Sequence, residues 1–280
     1  MAIVFGLAVA LAYGVADFLG GRTSRGDHPA VVVAMSQVAS VVPLALLLAV
    51  DASPVAEARS LAFGAGSGVA GLLGVLLLYR GLSLGAMGVI APITAVGAAV
   101  VPVTYGLATG ERPSGPALVG IVLALLSVAL IASVVPHEGS QAGRVDRREV
   151  ALAAAAGASF GFGFIFLAEA GEGSGFWPVA AARGVSLPLV LAGCLIAGRR
   201  LSITPGSRVA VSTAGFLDVL AIGLYLLASR RGLISLVAVL GSLYPATTVL
   251  LARIVLGERL VRLQVIGLVL ALAGVVLIAA

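Results

Sequence analysis

The chain is 280 residues long, 60% hydrophobic and 10% charged, with a mean hydropathy of +1.17. A soluble protein carries about a quarter charged residues, so this composition excludes one and points to an integral membrane protein. The formal charge of +5 comes from seventeen Arg against twelve acids, with no Lys; Arg placed between apolar runs anchors loops at a membrane surface and does not mark a nucleic-acid partner.

Apolar runs of about 20 residues, the length at which an α-helix crosses a bilayer, succeed one another along the whole chain. They predict helices at 2–19, 30–50, 61–79, 84–108, 116–135, 150–169, 177–197, 209–228, 234–256 and 263–279. The first run lacks the positive leader and cleavage site of a secretory signal and reads as a retained span. Short loops carry the breakers, and the longest, 136–149, joins the two halves. The halves repeat. Gly110-Glu111-Arg112 followed by GIVLALLSVALIA (120–132) returns 147 residues later as Gly257-Glu258-Arg259 followed by GLVLALAGVVLIA (267–279), with nine of thirteen positions identical in the apolar run. Tyr13-Gly14 answers Phe160-Gly161 at the same offset, and Pro43 answers Pro188.

The expected fold is therefore all-α and integral to the membrane: ten transmembrane helices as two inverted five-helix repeats, 1–135 and 150–280. An odd number of spans per unit makes the second copy enter from the opposite side, an architecture of secondary transporters with substrate held near the midplane. Gly64 with Gly68, and Gly157 with Gly161, stand at i, i+4, where small residues let helix backbones approach in lipid. Pro92, Pro102, Pro188 and Pro245 fall inside spans and each frees a carbonyl.

Ionisable groups inside a bilayer are functional candidates because a charge there costs a few kcal/mol. Asp17 and Glu169 fall near span ends, as does Arg253, where an anchoring role competes with a functional one. Asp218 falls ten residues into a span and is the first candidate for substrate binding or coupling, with Gly215 and Tyr225 on its helical face. Two readings of Asp218 stay open: a proton carrier, or a strut paired with Arg183. Tyr13, Gln37, Arg183, Tyr225 and Tyr244 complete the expected site, with Ser186 and Thr248 at helical spacing beside Arg183 and Tyr244. No span contains His, so neither a catalytic triad nor a metal site is expected; no cofactor is called for, and the chain is not expected to be an enzyme. The single Cys194 lies in an apolar run and excludes an internal disulfide.

The doubled Gly-Glu-Arg turn, the five-plus-five pattern and the segment SLYPATTVLLARIVLGERL (242–260) resemble the EamA-type transporters of the drug/metabolite transporter superfamily. The resemblance covers essentially the whole chain and implies a central cavity between repeats and export of amino acids, other small metabolites or drugs. This chain departs from the family pattern at Tyr13, where Trp is common, and at Gln37, where Arg is common. The Gly-Glu-Arg turn itself is expected at a membrane surface, with its carboxylate at the start of the next helix.

The resulting expectation is a secondary carrier of a small organic solute in a bacterial inner membrane, working by alternating access and open to proton coupling. A facilitative channel or uniporter and a non-transporting membrane protein are the alternatives. The partners expected are a small-molecule substrate and the lipid bilayer; a monomer suffices. Eleven Arg fall in loops on the side reached after the first helix and four on the other. The positive-inside rule thus places both termini outside, whereas the family resemblance places them in the cytoplasm.

Overall fold

A computed structural model describes every residue except 25, 52, 83–86, 133–146, 172 and 257–260, and every remaining side chain except 79–82, 87–92, 132, 149, 249, 252, 253 and 256. The described residues form α-helices with no strand: α1 (Ala2–Thr23), α2 (Pro29–Ala39), α3 (Val41–Asp51), α4 (Ala58–Leu82), α5 (Met87–Ala108), α6 (Gly115–Ala132), α7 (Arg147–Ala168), α8 (Trp177–Ile196), α9 (Arg208–Ser229), α10 (Ile234–Gly241), α11 (Tyr244–Leu256) and α12 (Arg262–Ala279). Seven segments have the length and composition to cross a membrane, α2 and α3 counting together as Pro29–Asp51; shorter apolar stretches occupy Ile93–Ala108, Gly115–Ile131 and Ile234–Thr248. The second Gly-Glu-Arg turn and most of the 136–149 linker lie outside the described residues.

Two predicted helices are interrupted, and proline is the reason in both. Pro43 has no N–H to offer Ala39, and the run 30–50 breaks at Ser40, whose hydroxyl bonds the Gln37 carbonyl at 2.6 Å. Pro245 does the same to Gly241, so the run 234–256 becomes α10 and α11 with Ser242 and Leu243 between them. The Ser242 hydroxyl turns back onto the Val239 carbonyl at 2.8 Å. Pro188, by contrast, sits inside an unbroken α8.

Packing follows the small residues. α4 lies on α7 and α8, α1 on α9 and α11, α5 on α7, and α6 on α12. A methyl at Gly64 or Gly68 would strike the backbone of Pro178 or Ala182 on α8, so those two glycines set how closely α4 and α8 approach. One apolar cluster joins α5, α6, α10 and α12, including Ala99, Ala124, Val128, Val239 and Leu240 at no more than 1% exposure. A second joins α1, α3 and α7 to α10 around Val9, Leu167, Tyr225 and Val237, also at 2% or less. Large hydrophobics such as Leu11, Leu46 and Leu272, exposed at 59%, 63% and 69%, cover the outside of the bundle. In water such a surface would aggregate; in a bilayer it is the expected one.

Hydrogen bonds define the two ends. At one, Asp51 accepts from the Phe176 N–H at 3.3 Å, and the Trp177 indole donates to the Ser53 carbonyl at 3.2 Å. At the other, Asp27 accepts from the Thr204 N–H at 3.2 Å and from its hydroxyl at 2.9 Å. Each clasp ties a loop of the first half to a loop of the second.

The carboxylate of the Gly-Glu-Arg turn corrects the sequence expectation. Glu111 does not serve the following helix α6, whose N-terminus is capped by Ser114 accepting from Ala117 N–H at 3.3 Å. It reaches across to α10 in the other half and accepts from the backbone N–H of Ile234 and, at 3.0 Å, of Ser235. α10 begins at Ile234 behind Leu233, which has no side-chain acceptor of its own, so a carboxylate from 124 residues away satisfies its free N–H groups.

Candidate functional site

The polar residues of the middle of the bundle form a seam built from both halves. It starts on α8, where helical spacing puts Arg183 and Ser186 on one face. Arg183 is 6% exposed and forms an ion pair with Asp218 of α9. One turn on, the Ser186 hydroxyl donates to Gln37 Oε1 of α2 at 3.1 Å. α9 comes this close to α2 because Gly215 has no Cβ to meet the Ser36 carbonyl. Among the described residues, Nε of Arg183 is fully buried without an acceptor.

α1 supplies the opposing wall. Tyr13 lies within electrostatic range of Asp218, Arg183, Asp17 and Tyr225, and Asp17 within range of Asp218. Tyr244, the first residue of α11 after the break, lies within range of Asp17. α11 seats against α1 at Gly14, whose carbonyl accepts from the Thr248 hydroxyl at 3.1 Å, while a side chain at Gly14 would overlap Thr247. Of the residues picked from sequence, Arg183 and Asp218 are in contact, Tyr13 and Asp17 lie within electrostatic range of that pair, Tyr244 within range of Asp17, and Gln37 joins them through Ser186.

Exposure changes along one face of α1. At 100° per residue, Asp17 points within about 40° of Gly6, Ala10 and Tyr13, and away from the outward stripe Val4, Leu7 and Leu11. Gly6 is buried and Ala10 is 4% exposed, Tyr13 is half-buried, and Asp17 and Gly21 are exposed. This face of α1 is therefore closed at Gly6 and Ala10 and accessible at Asp17, on the side of the end that holds Asp27. Toward the Asp51 end Tyr225, Leu226, Val239 and Leu240 are 0% exposed. Asp17 itself lies six residues inside the end of α1, which runs on to Thr23 and not to 19.

Two of the sequence candidates sit elsewhere. Tyr225 is not on the accessible face; it is fully buried, stacked on Phe164 with ring centroids 4.6 Å apart, and its hydroxyl has no partner among the described residues. Glu169 lies just beyond α7, accepts from the Tyr105 hydroxyl at 2.8 Å, and lines a 570 Å³ cleft with Glu57, Arg59 and Ser174 at the Asp51 end. An apolar 420 Å³ groove between α5, α6 and α7, lined by Val96, Val100 and Ala158, is also away from the seam. The side chain of Arg253 lies outside the described residues.

Sequence reasoning missed the clasp residues Asp51, Ser53 and Trp177 and the reach of Glu111 to α10. Nothing local signals them, because each partner is more than a hundred residues away. It also missed Phe164, which stacks on Tyr225 and leans on Tyr13 at 6.4 Å between centroids.

The model of the EamA-like transporter family matches residues 1–133 and again 147–280. A relative, an uncharacterised protein of Methanocaldococcus jannaschii, is 27% identical over 130 residues, which is 46% of this chain and 95% of that one. A protein of known crystal structure shares the fold with a TM-score of 0.79 and 16% identity over 99% of this chain and 98% of its own.

Proposed function

We propose, from the premise that the chain belongs to the EamA-like transporter family and is a multi-pass membrane transporter, that it is a secondary carrier of a small organic solute. Its halves are an inverted pair of five-span units that rock about the seam described above. The packing supports this. Exchanging the halves sends α1 on α9 to α7 on α4, sends α5 on α7 to the contact of α10 and α11 with α1, and returns α6 on α12 to itself. The archaeal relative, matched over 95% of its own length by 130 residues and so about the size of one unit, supports the unit as a chain in its own right.

The observation that carries the reading is the meeting of Asp17, Arg183, Asp218, Tyr13 and Tyr244 beside an accessible inner face, with a proline-broken helix at its edge. Buried charge is costly and broken backbone leaves carbonyls unpaired, so both are kept where a solute passes. Transport is outward, as the resemblance to exporters implies, in a bacterial inner membrane. The clasps at Asp51 and Asp27 are the contacts that part in turn as access alternates. Proton coupling belongs to the Asp17 and Asp218 pair, with Asp218 held by Arg183.

The test is flux into proteoliposomes of purified protein loaded with a pH dye and given pools of amino acids, amines, sugars and drugs, beside Asp218→Asn. Solute-dependent proton movement lost in the variant supports coupled transport through Asp218. Flux without protons, intact in the variant, makes the protein a uniporter. Silence from every pool with folded protein removes the carrier reading.

A further inference from the structure

The charges of the seam do not balance, and this bears on what the site takes. Arg183 is the one cation the described structure places among Asp17, Asp218, Tyr13 and Tyr244, and it is already paired with Asp218. Asp17 has neither ion pair nor hydrogen bond in the described structure, though it stands on an inward helix face and is exposed there. With both acids ionised the seam carries one net negative charge. It also holds an unused donor, the buried Nε of Arg183, and two phenol rings, Tyr13 and Tyr244, in electrostatic range of Asp17.

Resting on the carrier reading above, we propose that the site selects organic amines that lack a carboxylate: the ammonium group pairs with Asp17 against the rings of Tyr13 and Tyr244, and a neutral acceptor on the same solute takes the Arg183 Nε–H. An ammonium ion gains from the unpaired carboxylate and from the faces of aromatic rings. An α-amino acid brings the same ammonium with a carboxylate attached. That carboxylate has only the Nε–H of Arg183 to turn to, and because Arg183 is already paired with Asp218 the second anion must share one cation with Asp218 and leaves the site one negative charge in excess. Like charges juxtaposed in a site of reduced polarity are a means of rejecting a wrong ligand. The seam therefore separates an amine from the amino acid that differs from it by one carboxylate.

Matched pairs whose side chain carries a neutral acceptor test this in proteoliposomes of the full chain: tyramine against tyrosine, histamine against histidine, with tetraethylammonium as a permanently charged cation that does not leak through lipid as a free base. The expected result is that each amine outpaces its amino acid by at least about tenfold and that tetraethylammonium is carried or competes. Asp17→Asn should lower amine flux by a similar factor, and Asp17→Glu, which keeps the charge, should restore it; monodisperse elution of both variants shows that they fold. Amino acids moving as fast as their amines, or amine flux indifferent to Asp17→Asn, would overturn the amine assignment and leave the carrier standing. No flux of any probe or of the wider solute pools would remove both.

Discussion

Replacing Glu111 by Ala should destabilise the whole bundle, although the residue lies in a loop. Its carboxylate accepts two backbone N–H groups at the start of α10, from Ile234 and Ser235. Hydrogen bonds to a charged acceptor contribute about 1.5–3 kcal/mol each, and an anion at a helix N-terminus adds roughly 0.3–1 kcal/mol. Glu111 is half-buried, so the lower values apply and the sum is about 3 kcal/mol. At roughly 2–4 °C per kcal/mol for a chain of this size class, the melting temperature should fall by about 6 °C or more. Trp177 is the only tryptophan and sits in the clasp at the same end, so its fluorescence during heating in detergent reads the transition. Glu111→Gln keeps one acceptor and should lose about half as much, while Arg112→Ala, exposed next door, should change little. Gly106→Ala removes no bond, yet its new methyl would occupy the place of the Glu111 carboxylate and should mimic Glu111→Ala. A Glu111→Ala protein that melts with the unaltered chain would refute the cross-half cap and the energy assigned to it.

Other outcomes follow from the same geometry. Asp218→Ala strands a guanidinium that is 7% exposed, whereas Arg183→Ala strands a carboxylate with 35% of its side chain accessible. Losing Asp218 should therefore cost about 3–5 kcal/mol and losing Arg183 clearly less, measured by unfolding in detergent; equal costs would mean the pair is not asymmetrically buried. Gly68→Ala should destabilise by about 1–3 kcal/mol because its methyl meets the Ala182 backbone, while Gly71→Ala, with open space at that position, should be neutral or gain a few tenths; expression and thermal melts of the two compare directly. Cys194 is 3% exposed with its thiol on the Ala30 carbonyl, so a membrane-permeant maleimide should leave it unmodified until the chain is denatured in SDS, read by mass spectrometry. Disrupting the clasp with Asp51→Ala should shift the melting curve more than Asp27→Ala, whose bonds to Thr204 are exposed and compete with water.

Membrane class and family were legible before any coordinates, because both rest on features that survive in one dimension. Apolar runs of bilayer length need no partner to be recognised, and a duplicated Gly-Glu-Arg turn with its matching apolar run is a statement about two stretches of the same string. The candidate residues were legible for a similar reason: an Asp or Arg inside a run of Leu, Val and Ala stands out by its cost in hydrocarbon. Tyr13 with Asp17, and Arg183 with Ser186, could be placed on shared faces from helical spacing alone.

Which of those groups meet was beyond the sequence, since pairing depends on how α1, α2, α8, α9 and α11 pack. Spacing put Asp218 and Tyr225 on one stripe of α9, yet the first faces Arg183 and the second is sealed against Phe164. Both readings of Asp218, proton carrier and strut, were open in one dimension, and the pairing with Arg183 that bears on them comes from a neighbour 35 residues away on another helix. The breaks at Ser40 and at Ser242 also needed tertiary structure, for a proline permits a kink or an interruption, and Pro188 passes through α8 with neither end parted. Composition determined that this chain lies in a membrane because transfer from water depends on side chains one at a time. Packing decided where its charges balance, because that depends on pairs.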